Sequence, residues 1–288
     1  MVAHQALTQE ILIWGVSLPT DALGQADITY MGKIASIERP SVEWLWQEMD
    51  RVWDVMGLDN RAALQEQTIG DFYSHPVWVM NGVFSAVDPV SVQHRDSIAA
   101  FIGRLGVERV ADYGGGFGEL ALRLRAVAPQ NQIDIVEPYP SKLGMLRVVG
   151  KAGIQFVHEF NGQYDCVIAQ DVLEHVEQPL DLIEQMVHAT KPGGYLIFAN
   201  CFYPVIKCHL PSTFYLRHTF SWVVRGMGLK FEGRVEGVTH GLVFKRDGNS
   251  NKKMFMLLSA IAKLVGPFLN AIITLFSAIR HKMRFQKR

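Results

Sequence analysis

The stretch "RVADYGGGFGEL", Arg109 to Leu120, decides how this 288-residue chain reads. A short apolar run ends in an acid, Asp112, and glycines then fill four of the five positions from Gly114 to Gly118. Glycine carries no Cβ, tolerates positive φ and lets the main chain come within contact distance of a ligand. In an open parallel sheet, ligands sit at the carboxyl ends of the strands, near the switch point beside the first strand. The glycines stand where a ligand would meet the backbone. A dinucleotide fingerprint counted from Gly114 and Gly116 needs a third glycine at a position held by Glu119, and no Gly-Lys-Ser or Gly-Lys-Thr follows for a phosphate-binding loop. The pattern present is D-x-G-x-G-x-G: Asp112, Gly114, Gly116, Gly118. An acid at the helix entry suits a cationic ligand better than a pyrophosphate.

Outward from this turn, the strand-like runs "RVADY", "QIDIVEP", "IQFVHEF", "YDCVIAQ" and "YLIFANCF" alternate with helix-like stretches such as "ELALRLRAVAP", "SKLGMLRVVGKAG" and "PLDLIEQMVHAT". Regular alternation predicts an α/β fold, a doubly wound and mostly parallel sheet with helices on both faces. "LKFEGRVEGV" and "GLVFKR", joined by "THG", predict a closing hairpin. A helix from about Val90 to Leu105, stopped by Gly106, leads into the first strand. Glu137 ends the second strand 25 residues after Asp112, where a carboxylate can accept both hydroxyls of a ribose, and Pro138 and Tyr139 could flank an adenine. NAD enzymes share that position, so it indicates a nucleoside without choosing among them.

Residues 1–87 read as a helical accessory region rich in tryptophan. "SVEWLWQEMDRVWDVMGL" predicts one amphipathic helix capped by Ser41 and stopped by Gly57, burying Leu45, Met49, Val52, Val55 and Met56. "DFYSHPVWVMNGVF" is aromatic and ends in turn residues. The chain has 28 basic and 28 acidic residues, but from Lys245 onward ten Lys or Arg face a single acid, Asp247. An acidic body therefore carries a basic tail, and the balance gives no nucleic-acid signal. Three cysteines without metal-like spacing, and an N-terminal stretch unlike a signal peptide, predict a reduced, cytoplasmic setting.

The motifs "ADYGGGFGEL", "IDIVEPYP", "YDCVIAQDVLEHV" and "ATKPGGYLIFAN" occur here in order and spacing that resemble the class I S-adenosylmethionine-dependent methyltransferases, over about Asp88 to Arg246. The resemblance implies seven strands with a reversed final strand, in a cofactor-binding domain over residues 88–248. It implies that Asp112, Gly114, Gly116 and Gly118 line the methionine portion of S-adenosylmethionine and that Glu137 holds the ribose. Pro138 and Phe160 would lie near the adenine, Gln170 and Asp171 beside the transfer point, and Arg95 near the methionine carboxylate. The chain departs from the pattern after the third strand, where "HEFNGQYD" is short and lacks the usual acid.

Methyl transfer needs positioning and, for a hydroxyl acceptor, a base. His175, just past the fourth strand, and His240, between the last two strands, are the candidates. Asp171, Glu174 and His175 resemble a metal-holding pattern of some hydroxyl methyltransferases, but no metal is assigned. The acceptor reads as a small molecule, a glycan or a lipid-linked compound, methylated at oxygen. A binding or scaffold protein without turnover, and an NAD-dependent enzyme, are the alternatives. Residues 249–288 form an apolar tail, "MFMLLSAIAKLVGPFLNAIITLFSAI", flanked by cations and interrupted by Gly266 and Pro267. It predicts a segment lying in the inner membrane interface, or dipping in and returning at Gly266–Pro267, ahead of a pair of helices packed on the body or on the second subunit of a homodimer and of a true spanning helix.

Overall fold

The computed structural model describes the backbone of residues 9–285 and the side chains of residues 9–276. The accessory region opens with a hairpin not foreseen in the sequence, β1 (Glu10–Ile13) and β2 (Val16–Pro19). Its two-residue turn places Trp14 and Gly15 at φ 48° and 88°, the left-handed pair that matches strand twist. Helices α1 (Gln25–Ile34), α2 (Val42–Val55), α3 (Glu66–Tyr73), α4 (Pro76–Val87) and α5 (Pro89–Leu105) follow. The Ser41 hydroxyl accepts from the Trp44 N–H and caps α2 as expected. Its buried face holds Leu45, Met49, Val52 and Trp53, whereas Val55 is 75% exposed. Trp53 buries more apolar surface at the same seam, so the helix rotates toward it.

The turn expected at Asn81–Gly82 lies instead in the middle of α4. Gly82 is small for a tertiary reason: a Cβ there would lie 2.2 Å from the ring of Phe117, a residue of the glycine turn. The accessory region thus shares one core with the body. Phe72, Val77, Met80 and Phe84 cluster with Leu143, Cys208 and the partly buried Phe117.

The body is a seven-stranded sheet of β3 (Arg109–Tyr113), β4 (Gln132–Val136), β5 (Ile154–Val157), β6 (Tyr164–Gln170), β7 (Thr190–Ala199), β8 (Leu229–Arg234) and β9 (Gly241–Arg246). The order is β5-β4-β3-β6-β7-β9-β8, and β9, antiparallel to both neighbours, is the reversed strand. Cys166, Val167, Ile168 and Ala169 of β6 are all buried, the unbroken apolar run of a strand covered on both faces. Helices α6 (Glu119–Val127), α7 (Lys142–Val148), α8 (Pro179–Ala189) and α9 (Phe220–Arg225) cover the sheet. Because the chain steps from β3 to β4 on one side and later to β6 on the other, a crevice opens beyond the end of β3.

The tail corrects an expectation. It does not return at Gly266–Pro267 but runs as one helix, α10 (Lys252–Phe285). Gly266 lets the helix backbone press on the 3-10 turn Pro211–Leu216, since a Cβ would lie 2.4 Å from the Tyr215 carbonyl oxygen. The Asn270 amide donates to the Phe214 carbonyl at 2.8 Å. Phe255, Ala262, Gly266 and Asn270 therefore form a single contact stripe at helical spacing. Much of the remaining apolar surface is bare: Leu264 is 69% and Phe268 66% exposed. By length and composition, Lys252–Phe276 suffices to cross a membrane. The cations from Arg280 onward lie outside the residues whose side chains are described.

Candidate active site

Backbone geometry builds the first half of the site. Gly114, Gly116 and Gly118 stand at φ 69°, 54° and 77°, a region side chains rarely enter. Their surroundings differ. A Cβ on Gly114 would lie 2.6 Å from Val172, and one on Gly118 about 3 Å from Ile135 and Val148, so both glycines serve close packing. A Cβ on Gly116 would meet nothing within 4 Å, so this point of the turn borders open space. Asp112 is buried at the end of β3, and its Oδ2 has no hydrogen-bond partner. Burial pushes its carboxyl up to about 7, against the pull of Arg95 and with a smaller push from Glu137. Arg95 reaches in from α5 and donates to the Ser85 carbonyl at 2.6 Å. Glu137, at the end of β4, is raised by burial, offset by backbone N–H groups of Tyr139 and Gly116. A buried unpartnered carboxylate, an open backbone and a second carboxylate at a strand end fit the amino-acid and ribose ends of S-adenosylmethionine.

The nucleoside side is half prepared. Pro138 is exposed and the Tyr139 ring, 81% exposed, is free to flank a base. Phe160 is turned inward, stacked on Tyr113 with centroids 5.5 Å apart and packed edge-on against Tyr164. Glu119, the acid at the helix entry, is paired with Arg147.

Side chains drawn from distant segments build the second half. Asp171, next to Gln170 at the end of β6, takes φ 53°, a strained value for a residue with a side chain. Burial raises its carboxyl, opposed by the Gln170 amide and by Arg95 and His94. It is nevertheless solvent-accessible, as a group on the floor of a cleft would be. Asn200 holds the following loop, its Oδ1 accepting from the Val172 and Leu173 N–H groups at 2.9 and 2.8 Å. Glu174 accepts from the Cys201 N–H through Oε1, while its buried Oε2 is unpartnered; burial and Asp171 raise it to about 8. Two groups among the described residues could approach a metal: Asp171, Glu174 and Cys201, and Glu174, His175 and His209.

The two candidate histidines occupy different places. The Nδ1 of His175 lies 3.1 Å from the Cys208 carbonyl, with Tyr73, Trp78 and His209 against the ring. Burial lowers it to about 3, so it is neutral. His240 is half-buried, its Nε2 3.2 Å from the Tyr203 hydroxyl. Burial lowers it too, reinforced by His94, Arg217 and Arg234. Sequence reasoning missed Tyr203, Asn200, His94 and Arg217. For Asn200, Tyr203 and Arg217 the available signal was the polar-aromatic segment between β7 and α9, "NCFYPVIKCHLPSTFYLRH", whereas His94 lies apart from it on α5. Lys207 in that segment is latched to the accessory region: its N–H donates to Asp50 at 2.6 Å and its ammonium pairs with Asp54 at 2.5 Å.

Residues 91–230, which span the glycine turn, Glu137 and Asp171, match the family model described as a methyltransferase domain. That stretch is a class I methyltransferase domain. The dinucleotide reading is set aside, and the cofactor of such a domain is S-adenosylmethionine. The methyltransferase domain is similar to the ubiquinone biosynthesis O-methyltransferase of Shewanella halifaxensis, 27% identical over 135 residues, 43% of this chain and 56% of that protein. The Escherichia coli protein of the same name is 31% identical over 136 residues, 43% of this chain and 55% of that protein. The match thus spans little more than half the length of these relatives. Among solved structures, an O-methyltransferase family protein from Burkholderia thailandensis aligns with TM-score 0.49 at 14% identity, covering 72% of this chain and 70% of its own. Human N-acetylserotonin methyltransferase in complex with SAM aligns with TM-score 0.49 at 14% identity, covering 77% and 70%.

Proposed function

We propose that the protein methylates an oxygen of a small-molecule, glycan or lipid-linked acceptor with S-adenosylmethionine as donor. The observation that carries this reading is the unpartnered buried carboxylate of Asp112 beside the open backbone of Gly116, at the strand ends of a methyltransferase domain. The sulfonium of the bound cofactor supplies an activated methyl group. In this reading Glu137 holds the ribose hydroxyls, Asp112 and Arg95 the charged amino-acid end, and Pro138 and Tyr139 the base. Gln170 and Asp171 floor the transfer point. His240 is the base for the acceptor proton, because its lowered pKa keeps it neutral near pH 7 and Tyr203 orients its ring. His175 is a positioning residue, its Nδ1–H donating to the Cys208 carbonyl and its ring bracing Tyr73 and Trp78. The test is to incubate the full chain with methyl-labelled S-adenosylmethionine and a panel of catechols, glycans, isoprenoid quinols in micelles and primary amines. Label in an O-methyl product is expected. Transfer to nitrogen acceptors alone, or none by protein that binds S-adenosylhomocysteine, contradicts it, the latter in favour of a scaffold.

We also infer that α10 lies on the inner face of a membrane and keeps the otherwise cytoplasmic body there. What supports this is a helix held by one stripe, with Met256, Leu257, Leu264, Phe268, Leu275 and Phe276 exposed and Lys252, Lys253 and Lys263 along it. A second copy of the chain is the competing occupant. A dimer in solution that ignores lipid vesicles would favour the copy.

A further inference from the structure

Five arginines of the body and accessory region, Arg39, Arg51, Arg109, Arg123 and Arg147, each meet a carboxylate. The other eight arginines with described side chains, Arg217 and Arg234 among them, make no ion pair among the described residues. The exposed guanidinium groups of Arg217 and Arg234 act on His240, as does His94. Arg217 also lies over an aromatic ring: its guanidinium carbon sits 4.6 Å from the centre of the Tyr203 ring, and the hydroxyl of that ring lies 3.2 Å from His240 Nε2. A guanidinium over an aromatic face with no hydrogen-bond acceptor for its N–H groups among the described residues keeps its donors for a carboxylate or phosphate, which it can receive in a fork. The cluster borders the transfer point, since Arg217 and Asp171 both act on Tyr203 and Cys201. Asp171 itself answers to Arg95 and His94, and no carboxylate among the described residues pairs with Arg217 or Arg234.

We propose that the acceptor carries an anionic group, a carboxylate or phosphate, which Arg217 receives so that a hydroxyl of the same molecule lies between Asp171 and His240. This rests on the methyl-transfer reading and narrows its acceptor class. Arg217 follows directly on the turn Pro211–Leu216 that seats α10, so the anion-receiving edge and the apolar helix adjoin through one turn of chain. An acceptor with an anionic end and an apolar body suits both.

The experiment compares phenol, 4-hydroxybenzoate and 4-hydroxyphenyl phosphate, measured by calorimetry on the full chain with and without S-adenosylhomocysteine. At least one of the anions is expected to bind at least tenfold more tightly than phenol, and which one does separates carboxylate from phosphate. Arg217→Gln should cut that advantage below threefold and Arg217→Lys restore part of it, with S-adenosylhomocysteine affinity and thermal midpoint unchanged in both. Equal affinity for all three probes, absence of binding by all three, or an anion preference that survives Arg217→Gln overturns the proposal. Failure to bind S-adenosylhomocysteine would instead overturn the methyl-transfer reading, because the comparison of anions is also made without cofactor.

Discussion

The two halves of the site are made in different ways. On the cofactor side, a strand end, three left-handed glycines and two carboxylates within 26 residues of sequence, Asp112 to Glu137, do the work, and the backbone is the main contact surface. On the acceptor side, His94, Asp171, Tyr203, Arg217 and His240 come from four segments and meet only in the fold. The contrast teaches that a crevice built from backbone constrains local sequence, whereas a pocket built from side chains constrains only their final positions. Substitutions on the acceptor side should therefore alter turnover at constant cofactor affinity, and those on the cofactor side affinity and folding.

The largest effect is expected at His240. Loss of a general base typically costs about 100- to 10,000-fold in rate. His240→Ala should lower kcat by that order with S-adenosylhomocysteine affinity intact, while His175→Ala should show chiefly as a lower thermal midpoint. The reverse outcome would exchange the roles of the two rings and break the division drawn above.

Two glycines sharpen the comparison from the other side. Gly114→Ala meets both a left-handed backbone, about 1–2 kcal/mol, and Val172 at 2.6 Å, an overpacking of about 1–3 kcal/mol. Gly116→Ala meets only the first. Chemical denaturation should find the Gly114 variant the less stable, and calorimetry should find the folded Gly116 variant weakened for cofactor. Equal stability losses would mean that Val172 yields.

How much of this was legible follows the same line. Strand positions were readable because buried parallel strands are unbroken apolar runs bounded by turn residues, as in "YDCVIAQ". The glycine turn and Glu137 were readable because their spacing is set by one strand and one crossover. Gly82 and Gly266 misled, as each is small to admit a neighbour from elsewhere, Phe117 or Tyr215, and local propensity cannot report that. Val55 was exchanged for Trp53 for a related reason: helix rotation is settled by the partner surface. Nothing local marks Tyr203 and His240 as neighbours, 37 residues apart in the chain.

A smaller effect concerns pH. Because Asp112 rises from 3.8 to about 7 on folding, the folded protein binds a proton more readily there, and the stability this gives is lost as pH climbs from 3.8 through about 7. Asp112→Asn should stabilise the cofactor-free protein at pH 8 and change it little at pH 4. A cationic ligand favours the charged form, so cofactor affinity should rise by up to about tenfold per pH unit below 7, with proton release seen in buffers of different ionisation enthalpy. Proton uptake on binding would contradict this.

The smallest is at the tail. Each cation near an anionic surface contributes about 1 kcal/mol, screened by salt. Lys252→Gln with Lys253→Gln should weaken binding to phosphatidylglycerol vesicles at low salt, while Leu264→Glu with Phe268→Glu should weaken it at all salt concentrations. A full chain that ignores vesicles removes the membrane reading and leaves both halves of the site untouched.

The central claim, that the crevice from Asp112 to Glu137 binds S-adenosylmethionine, is tested most directly by calorimetry of S-adenosylhomocysteine against the wild-type protein and folded Glu137→Ala. Hydrogen bonds to a charged group contribute about 1.5–3 kcal/mol, so affinity should fall by roughly 10- to 150-fold. Undiminished affinity in the folded variant, or no binding by the wild type, would contradict it.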